Sequence, residues 1–358
     1  MKRFLVVIGT RPSAVKLAPV VHALESRGAV ANVCLTGQQS EMLDCCLESL
    51  RLAPTHRFCG FNGAPLAYRL GDTVRRLSEV LEGYSYDGVI VVGDTVSGMA
   101  GALAGAFSDI PVAHVEAGLR TREREPWPEE MTRRAIDSIA TWHFAPTAIA
   151  EDNLLAERVD PGGTWLVGNT VVDSLRDLGI HRHRFALETI LVTIHRRENW
   201  EHLPVIAAFI SELAARFPFQ FVWPVHPNPM IAEAVQEACR FNSNVTLSPP
   251  LPYDRFMAQL AAAHLVITDS GGIQEEAAVL GVPTLVIRKN TERPEALMAG
   301  VSRLVGPVEF FKVAQALLKD AKQLTAMECT TAEFGDGHAG ERIADILLTG
   351  ETPLGELS

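Results

Sequence analysis

Leu265-Val266-Ile267-Thr268-Asp269-Ser270-Gly271-Gly272-Ile273-Gln274-Glu275-Glu276 runs from an apolar strand through a glycine turn into a helical pattern. A strand that ends in Ser-Gly-Gly and enters a helix makes an anion cradle. Glycine lets a phosphate approach the backbone, and the helix N-terminus offers unpaired N–H groups and partial positive charge. Glu276 falls about one turn in, where a carboxylate reaches the hydroxyls of a ribose. The same letters also suit an ordinary tight turn capped by Ser270.

The strand-then-helix rhythm extends in both directions. Apolar runs predict strands over Phe4–Ile8, Ala31–Leu35, Gly88–Val92, Val112–Val115, Trp142–Phe144 and Thr164–Val167. A second series covers Thr189–Ile194, Gln220–Val225, Val245–Leu247, Leu265–Thr268, Thr284–Ile287 and Arg303–Val305. Continuous Val/Ile/Leu runs, rather than strict alternation, suit parallel strands covered on both faces. Helical patterns lie between them, as at Ala14–Leu24, Val96–Phe107, Leu203–Phe217 and Gly272–Leu280. This predicts an α/β protein of two doubly wound, Rossmann-like domains, 1–170 and 171–337, with 338–358 a C-terminal helix packing back on the first. Two such sheets predict a central cleft at the carboxyl ends of their strands, where ligands bind.

The chain has 358 residues, 47% of them apolar, and a formal charge of −11. That charge argues against a nucleic-acid or anionic-membrane surface but leaves room for a local phosphate site. The opening run Phe4-Leu5-Val6-Val7-Ile8 is too short for a signal peptide, and no apolar run reaches membrane-spanning length. Six cysteines form no CxxC pair and are expected to be reduced thiols of a cytoplasmic protein. No metal-ligand spacing, HExxH or G-x-S-x-G elbow occurs, so neither a metal centre nor a serine nucleophile is expected.

The residues at the strand ends carry the chemistry. Gly9-Thr10-Arg11-Pro12-Ser13-Ala14-Val15-Lys16 follows the first strand and is not a GxGxxG dinucleotide turn. It brings two cations, Arg11 and Lys16, to the cleft; alternatively it is a plain helix start with Pro12 in the first turn. Asp94 and Glu116 each end a strand in the first half, and Glu129 follows in Pro126-Trp127-Pro128-Glu129-Glu130. Each alone suits a cap or an ion pair, but three acidic sites on one rim suit proton transfer. His114 lies inside an apolar strand and reads as structural. In the second half His195 and His226 end strands facing the same side, and Arg293 follows a further strand. Carboxylates in one half and a phosphate cradle with cations in the other suit a sugar nucleotide.

These stretches carry a family likeness. Gly9-Thr10-Arg11-Pro12, Gly93-Asp94-Thr95, His114-Val115-Glu116-Ala117-Gly118-Leu119-Arg120-Thr121, Pro126-Trp127-Pro128-Glu129-Glu130, Gly168-Asn169-Thr170 and His195-Arg196-Arg197-Glu198 match in order. So do His226-Pro227-Asn228-Pro229, Asp269 to Glu276, Thr291-Glu292-Arg293-Pro294-Glu295 and Gly335-Asp336-Gly337. Across almost its whole length the chain resembles the UDP-N-acetylglucosamine 2-epimerases of the non-hydrolysing bacterial type. The resemblance implies a fold like that of B-type glycosyltransferases, a homodimer, and interconversion of UDP-GlcNAc and UDP-ManNAc without a cofactor. It implies catalytic roles for Asp94, Glu116, Glu129 and His195. It implies UDP binding by Arg11, Ser270, Gly271, Gly272, Glu276 and Arg293, with Lys16 holding the site together and His226 beside it.

Departures from the pattern accompany the matches. Ser13 stands where the family commonly has Glu, and Gln38-Gln39-Ser40 stands where many regulated members have Gln-His-Arg. In those members these regions help bind a second, activating UDP-GlcNAc, so the usual activation is expected to be lost. The same changes leave open a hydrolysing relative that releases ManNAc and UDP, or a related UDP-N-acetyl sugar as substrate.

Overall fold

The structure, a computed structural model, describes residues 1–38, 40–60, 64–182, 188–225 and 228–349, without the side chains of residues 40, 41, 42 and 45. The chain divides into two compact units: Met1–Asp177 with the segment from Glu333 onward, and Leu178–Ala332.

The first unit is built on β1 (Arg3–Ile8), β2 (Val30–Leu35), β3 (Pro54–Arg57), β4 (Gly88–Val92), β5 (Val112–Val115), β6 (Trp142–Ala145) and β7 (Thr164–Leu166). All pair in parallel, in the order β3-β2-β1-β4-β5-β6-β7. Helices cover both faces, so the central strands are wholly buried: every residue of β4 and β5 lies inside. Fully buried apolar side chains drive this assembly, each contributing about 1.5–3 kcal/mol by leaving water. Strand β3 is the one element of this sheet that the apolar pattern does not predict. Pro54-Thr55-His56-Arg57 is a half-exposed edge strand, and edges tolerate proline and charge because one side needs no partner.

The second unit uses β8 (Thr189–Thr193), β9 (Gln220–Pro224), β10 (Val245–Ser248), β11 (Leu265–Thr268), β12 (Thr284–Ile287) and β13 (Ser302–Val305). Their order is β10-β9-β8-β11-β12-β13, again all parallel. Its core is filled by Ile190, Phe221, Trp223, Ile267 and Ile287, all buried. The expected doubly wound α/β class is therefore borne out in both units. Among the described residues no helix is long and apolar enough to cross a membrane. Burial pushes the Cys34 thiol up to about 12 and the Cys239 thiol up to about 11, so both are inert packing groups at neutral pH.

The chain order reverses between β1 and β4 in the first sheet and between β8 and β11 in the second. At such a switch point the connections leave to opposite faces and open a crevice at the carboxyl ends of the strands. In each unit, that crevice is where functional side chains are to be sought.

The helix Ala339–Thr349 docks within the first unit. Lys2 donates to its Leu347 carbonyl at 2.8 Å, Arg27 pairs with Asp345, and Asp173 accepts the Gly340 N–H at 2.8 Å. Asp173 is buried, and burial pushes its carboxyl up to about 6, against the downward pull of the Gly340 and Ala339 N–H groups. The ordinary value is 3.8, so between the two values the folded state holds the proton that the unfolded state releases. Stability is thus full at low pH, falls as pH rises toward about 6, and stays lower by about 3 kcal/mol above it. Asp173→Asn keeps an acceptor for Gly340 and removes the titration. Its melting temperature is expected to lack that part of the fall between acid and neutral pH; parallel curves for variant and parent would refute this.

Candidate active site

In the first unit the β4–β5 register sets Val92 beside Val115, so the next residues, Gly93 and Glu116, lie side by side. The Gly93 N–H donates to the Val115 carbonyl at 3.0 Å. Gly93 adopts φ +63°, and a Cβ there would lie 2.8 Å from Glu116 Oε2. Glycine is needed on both counts, for the backbone turn and for the carboxylate that packs on it. Glu116 itself sits at φ +64°, a left-handed conformation that a non-glycine residue adopts at a cost of roughly 1–2 kcal/mol. Backbone strain of this kind collects at functional sites.

The sheet therefore brings Asp94 and Glu116 together, and each has a buried cation. Lys16, in the helix Arg11–Ser26, pairs with Glu116; Arg133, in the helix Glu129–Ile139, pairs with Asp94. The rim is not a set of bare like charges. Glu129 stands in the first turn of the same helix as Arg133, half-buried and one turn before it. Spacing of four places both on one face, a signal in the sequence that would have found Arg133 as the organiser of Asp94. Glu130, the neighbour of Glu129, turns inward instead. It accepts the backbone N–H groups of Thr121 and Arg122 at 3.0 and 3.2 Å and pairs with Arg133 at 3.0 Å.

Thr10 caps the helix that follows β1. Its Oγ1 accepts the Ser13 N–H at 3.3 Å and lies 2.8 Å from Ser13 Oγ. Arg11 is the first helical residue and half-buried, at the switch point of this sheet. Gln38 is occupied by Ser97, whose N–H and hydroxyl donate to its Oε1 at 3.3 and 2.6 Å.

In the second unit the helix Gly271–Leu280 begins directly after β11. Ser270 takes the N-cap position, but its side chain makes no capping bond, which corrects the capped-turn reading. Its first-turn N–H groups, Gly271 and Gly272 among them, are accordingly not satisfied by Ser270. A Cβ at Gly271 would lie 2.7 Å from Arg293 Nη1, so glycine there lets the guanidinium approach the helix start. Arg293 is buried, donates from Nε to Glu275 at 2.6 Å, and pairs with Glu292. Glu292 also accepts from Arg288 at 2.9 Å. Glu276 is buried and accepts the Tyr253 hydroxyl at 2.9 Å, which fixes the carboxylate orientation.

His195 follows β8 on the other side of this switch point, with its side chain 40% exposed. Asp269, fully buried, organises that loop. It accepts the His195 N–H at 3.1 Å, the Arg196 N–H at 2.9 Å and Asn199 Nδ2 at 3.0 Å, and its Oδ1 lies 3.4 Å from His195 Nδ1. Asp269 and Asn199 were not singled out by sequence. An aspartate before a Ser-Gly-Gly turn reads as part of that turn, and its bonds run to a loop some seventy residues away. His226 lies outside the described residues.

Each unit thus carries its polar cluster at the carboxyl end of its own switch point: two carboxylates paired with buried cations in the first, and a glycine-started helix with Arg293, His195 and Glu276 in the second. A family model described as UDP-N-acetylglucosamine 2-epimerase matches residues 22–348. The chain is 40% identical over 366 residues to a probable UDP-N-acetylglucosamine 2-epimerase of Ralstonia nicotianae, covering 96% of this chain and 98% of that one. It is 39% identical over 368 residues to the UDP-N-acetylglucosamine 2-epimerase of Escherichia coli, covering 96% and 98%. The crystal structure of the Neisseria meningitidis UDP-GlcNAc 2-epimerase bound to UDP-GlcNAc superposes with a TM-score of 0.91 at 37% identity, covering 97% of this chain and 99% of that one. By sequence and by fold, the chain belongs to the UDP-N-acetylglucosamine 2-epimerase family of isomerases.

Proposed function

We propose that this protein interconverts UDP-GlcNAc and UDP-ManNAc by eliminating UDP to 2-acetamidoglucal and adding it back. The observation that carries the reading is the Glu116 carboxylate packed on Gly93, next to Asp94, with Lys16 and Arg133 as their cations. The C2 proton of the sugar is weakly acidic until the C1–O bond to UDP begins to break. As UDP leaves, C1 becomes oxocarbenium-like, a carboxylate takes the C2 proton, and a C1=C2 double bond forms. A proton then returns to C2 from the opposite face, and the UDP oxygen re-adds to C1. Inversion needs an acid–base group on each face, which a pair such as Asp94 and Glu116, with Glu129 nearby in sequence, supplies. The departing diphosphate is stabilised by the Gly271–Gly272 N–H groups and by Arg11, Arg293 and His195, and Glu276 takes the ribose. Water must be kept from the glucal, or free sugar escapes.

A proton NMR time course with UDP-GlcNAc tests this. UDP-ManNAc is the expected product; free ManNAc with UDP would instead assign the hydrolysing outcome. Activation is a separate expectation. Ser13 bonds back to Thr10, and Gln39-Ser40 stand where regulated members carry His-Arg, which supports a chain without the second UDP-GlcNAc response. Turnover of UDP-ManNAc alone is expected to start without a lag; a requirement for added UDP-GlcNAc would overturn that.

A further inference from the structure

His114 sits in β5 with no solvent exposure, and both its ring nitrogens face groups that accept. Nδ1 lies 2.6 Å from Asp137 Oδ1, and Nε2 lies 2.8 Å from the Gly93 carbonyl oxygen. A neutral imidazole donates from one nitrogen only, so with Asp137 ionised both contacts are hydrogen bonds only when the ring carries both protons. Asp137 is buried as well. Burial alone would push its carboxyl up, but the positive charges and hydrogen bonds of His114 and Arg120 overcome this and hold it below the ordinary carboxylate range. Asp137 also accepts from Arg120 Nη2 at 2.7 Å and lies 3.4 Å from the Gly118 N–H that points to it. Glu157 completes the set by accepting from Arg120 at 2.8 Å, so two cations meet two anions. From the neighbouring strand His143, the register partner of His114, faces the Asp137 backbone carbonyl at 2.8 Å, not its carboxylate.

The two ends of this network reach two left-handed turns. Gly93, at φ +63°, precedes Asp94; Glu116 and Gly118, at φ +64° and +86°, form the other turn. Such conformations persist only where the surroundings over-determine them. We propose that the buried His114–Asp137 pair is a positioning device that locks the turn carrying Asp94 to the turn carrying Glu116. His114 grips the Gly93 carbonyl, Asp137 takes the Gly118 N–H, and the two reacting carboxylates keep one separation through both proton transfers. Neither residue of the pair touches the sugar, and the proposal rests on the epimerase reading above.

His114→Gln retains an amide N–H for the Gly93 carbonyl and removes the charge. With UDP-GlcNAc, kcat is expected to fall about 100-fold, the loss that a displacement of about 1 Å brings, while KM and UDP affinity stay near those of the parent. Histidine nitrogen-15 spectra of the parent protein supply a reading that needs no turnover. The His114 ring, assigned through the backbone of Ala113 and Val115, is expected to show a proton on both nitrogens. A variant with kcat near the parent's, or a parent spectrum with one bare ring nitrogen, overturns the proposal. A parent that fails to turn over UDP-GlcNAc contradicts the functional reading instead, and the spectrum still judges the pair.

Discussion

Glu116→Gln is expected to lower turnover of UDP-GlcNAc by about 10²–10⁴-fold, the usual worth of a positioned acid–base group. Glutamine keeps the length of the side chain and an oxygen for Lys16, and it adds no branch at Cβ to strain the φ +64° backbone further. The change removes a proton acceptor and little else from the turn. Some stability is lost, because the Lys16 ammonium stays buried while its counter-charge goes. The diphosphate groups proposed in the second unit are untouched, so UDP affinity is expected to hold. Rates come from the NMR time course and affinity from calorimetry with UDP. A variant within tenfold of the parent rate would remove Glu116 from the chemistry.

Arg293→Ala is expected to cost about 3–5 kcal/mol of stability, the penalty for stripping one partner from a buried ion pair. Glu292 retains Arg288, but Glu275, with no solvent exposure, loses the guanidinium that meets it at 2.6 Å. For a unit of this size the melting temperature drops by roughly 10 °C or more, and UDP affinity falls with it. Arg293→Lys returns a charge but not the planar fork that reaches both Glu275 and Glu292, so it recovers only part of the loss. Calorimetric melting checks both variants. An unchanged melting temperature for the alanine variant would show that Arg293 does not hold Glu275 and Glu292 in place.

The core strands and the doubly wound class could be anticipated because buried parallel strands leave a plain trace: Val89-Ile90-Val91-Val92 and Leu265-Val266-Ile267 have no polar face to confuse the reading. Strand β3 left no such trace, since an edge needs neither apolar faces nor a full ladder of partners. Asp94 and Glu116 were legible as strand ends, for the residue after a buried strand falls at the crevice. Their cations were half legible. Arg133 follows Glu129 at helical spacing, but the pairing of Lys16 with Glu116 spans a hundred residues and exists only once β1 lies next to β4. His114 shows the limit. In an apolar strand a histidine looks like packing, and only the fold reveals that its ring meets Gly93 on one side and Asp137 on the other. Ser270 left two readings open, since a serine before a helix ordinarily caps it, and the fold removes the cap by showing no capping bond from its side chain.

On the proposed route the C2 proton leaves the sugar and is replaced on the other face while UDP is detached. Turnover of UDP-GlcNAc in deuterated water measures this directly, read by proton NMR and mass at C2 of the product. UDP-ManNAc carrying deuterium at C2 is the expected product; UDP-ManNAc that keeps its original hydrogen there would rule the elimination route out.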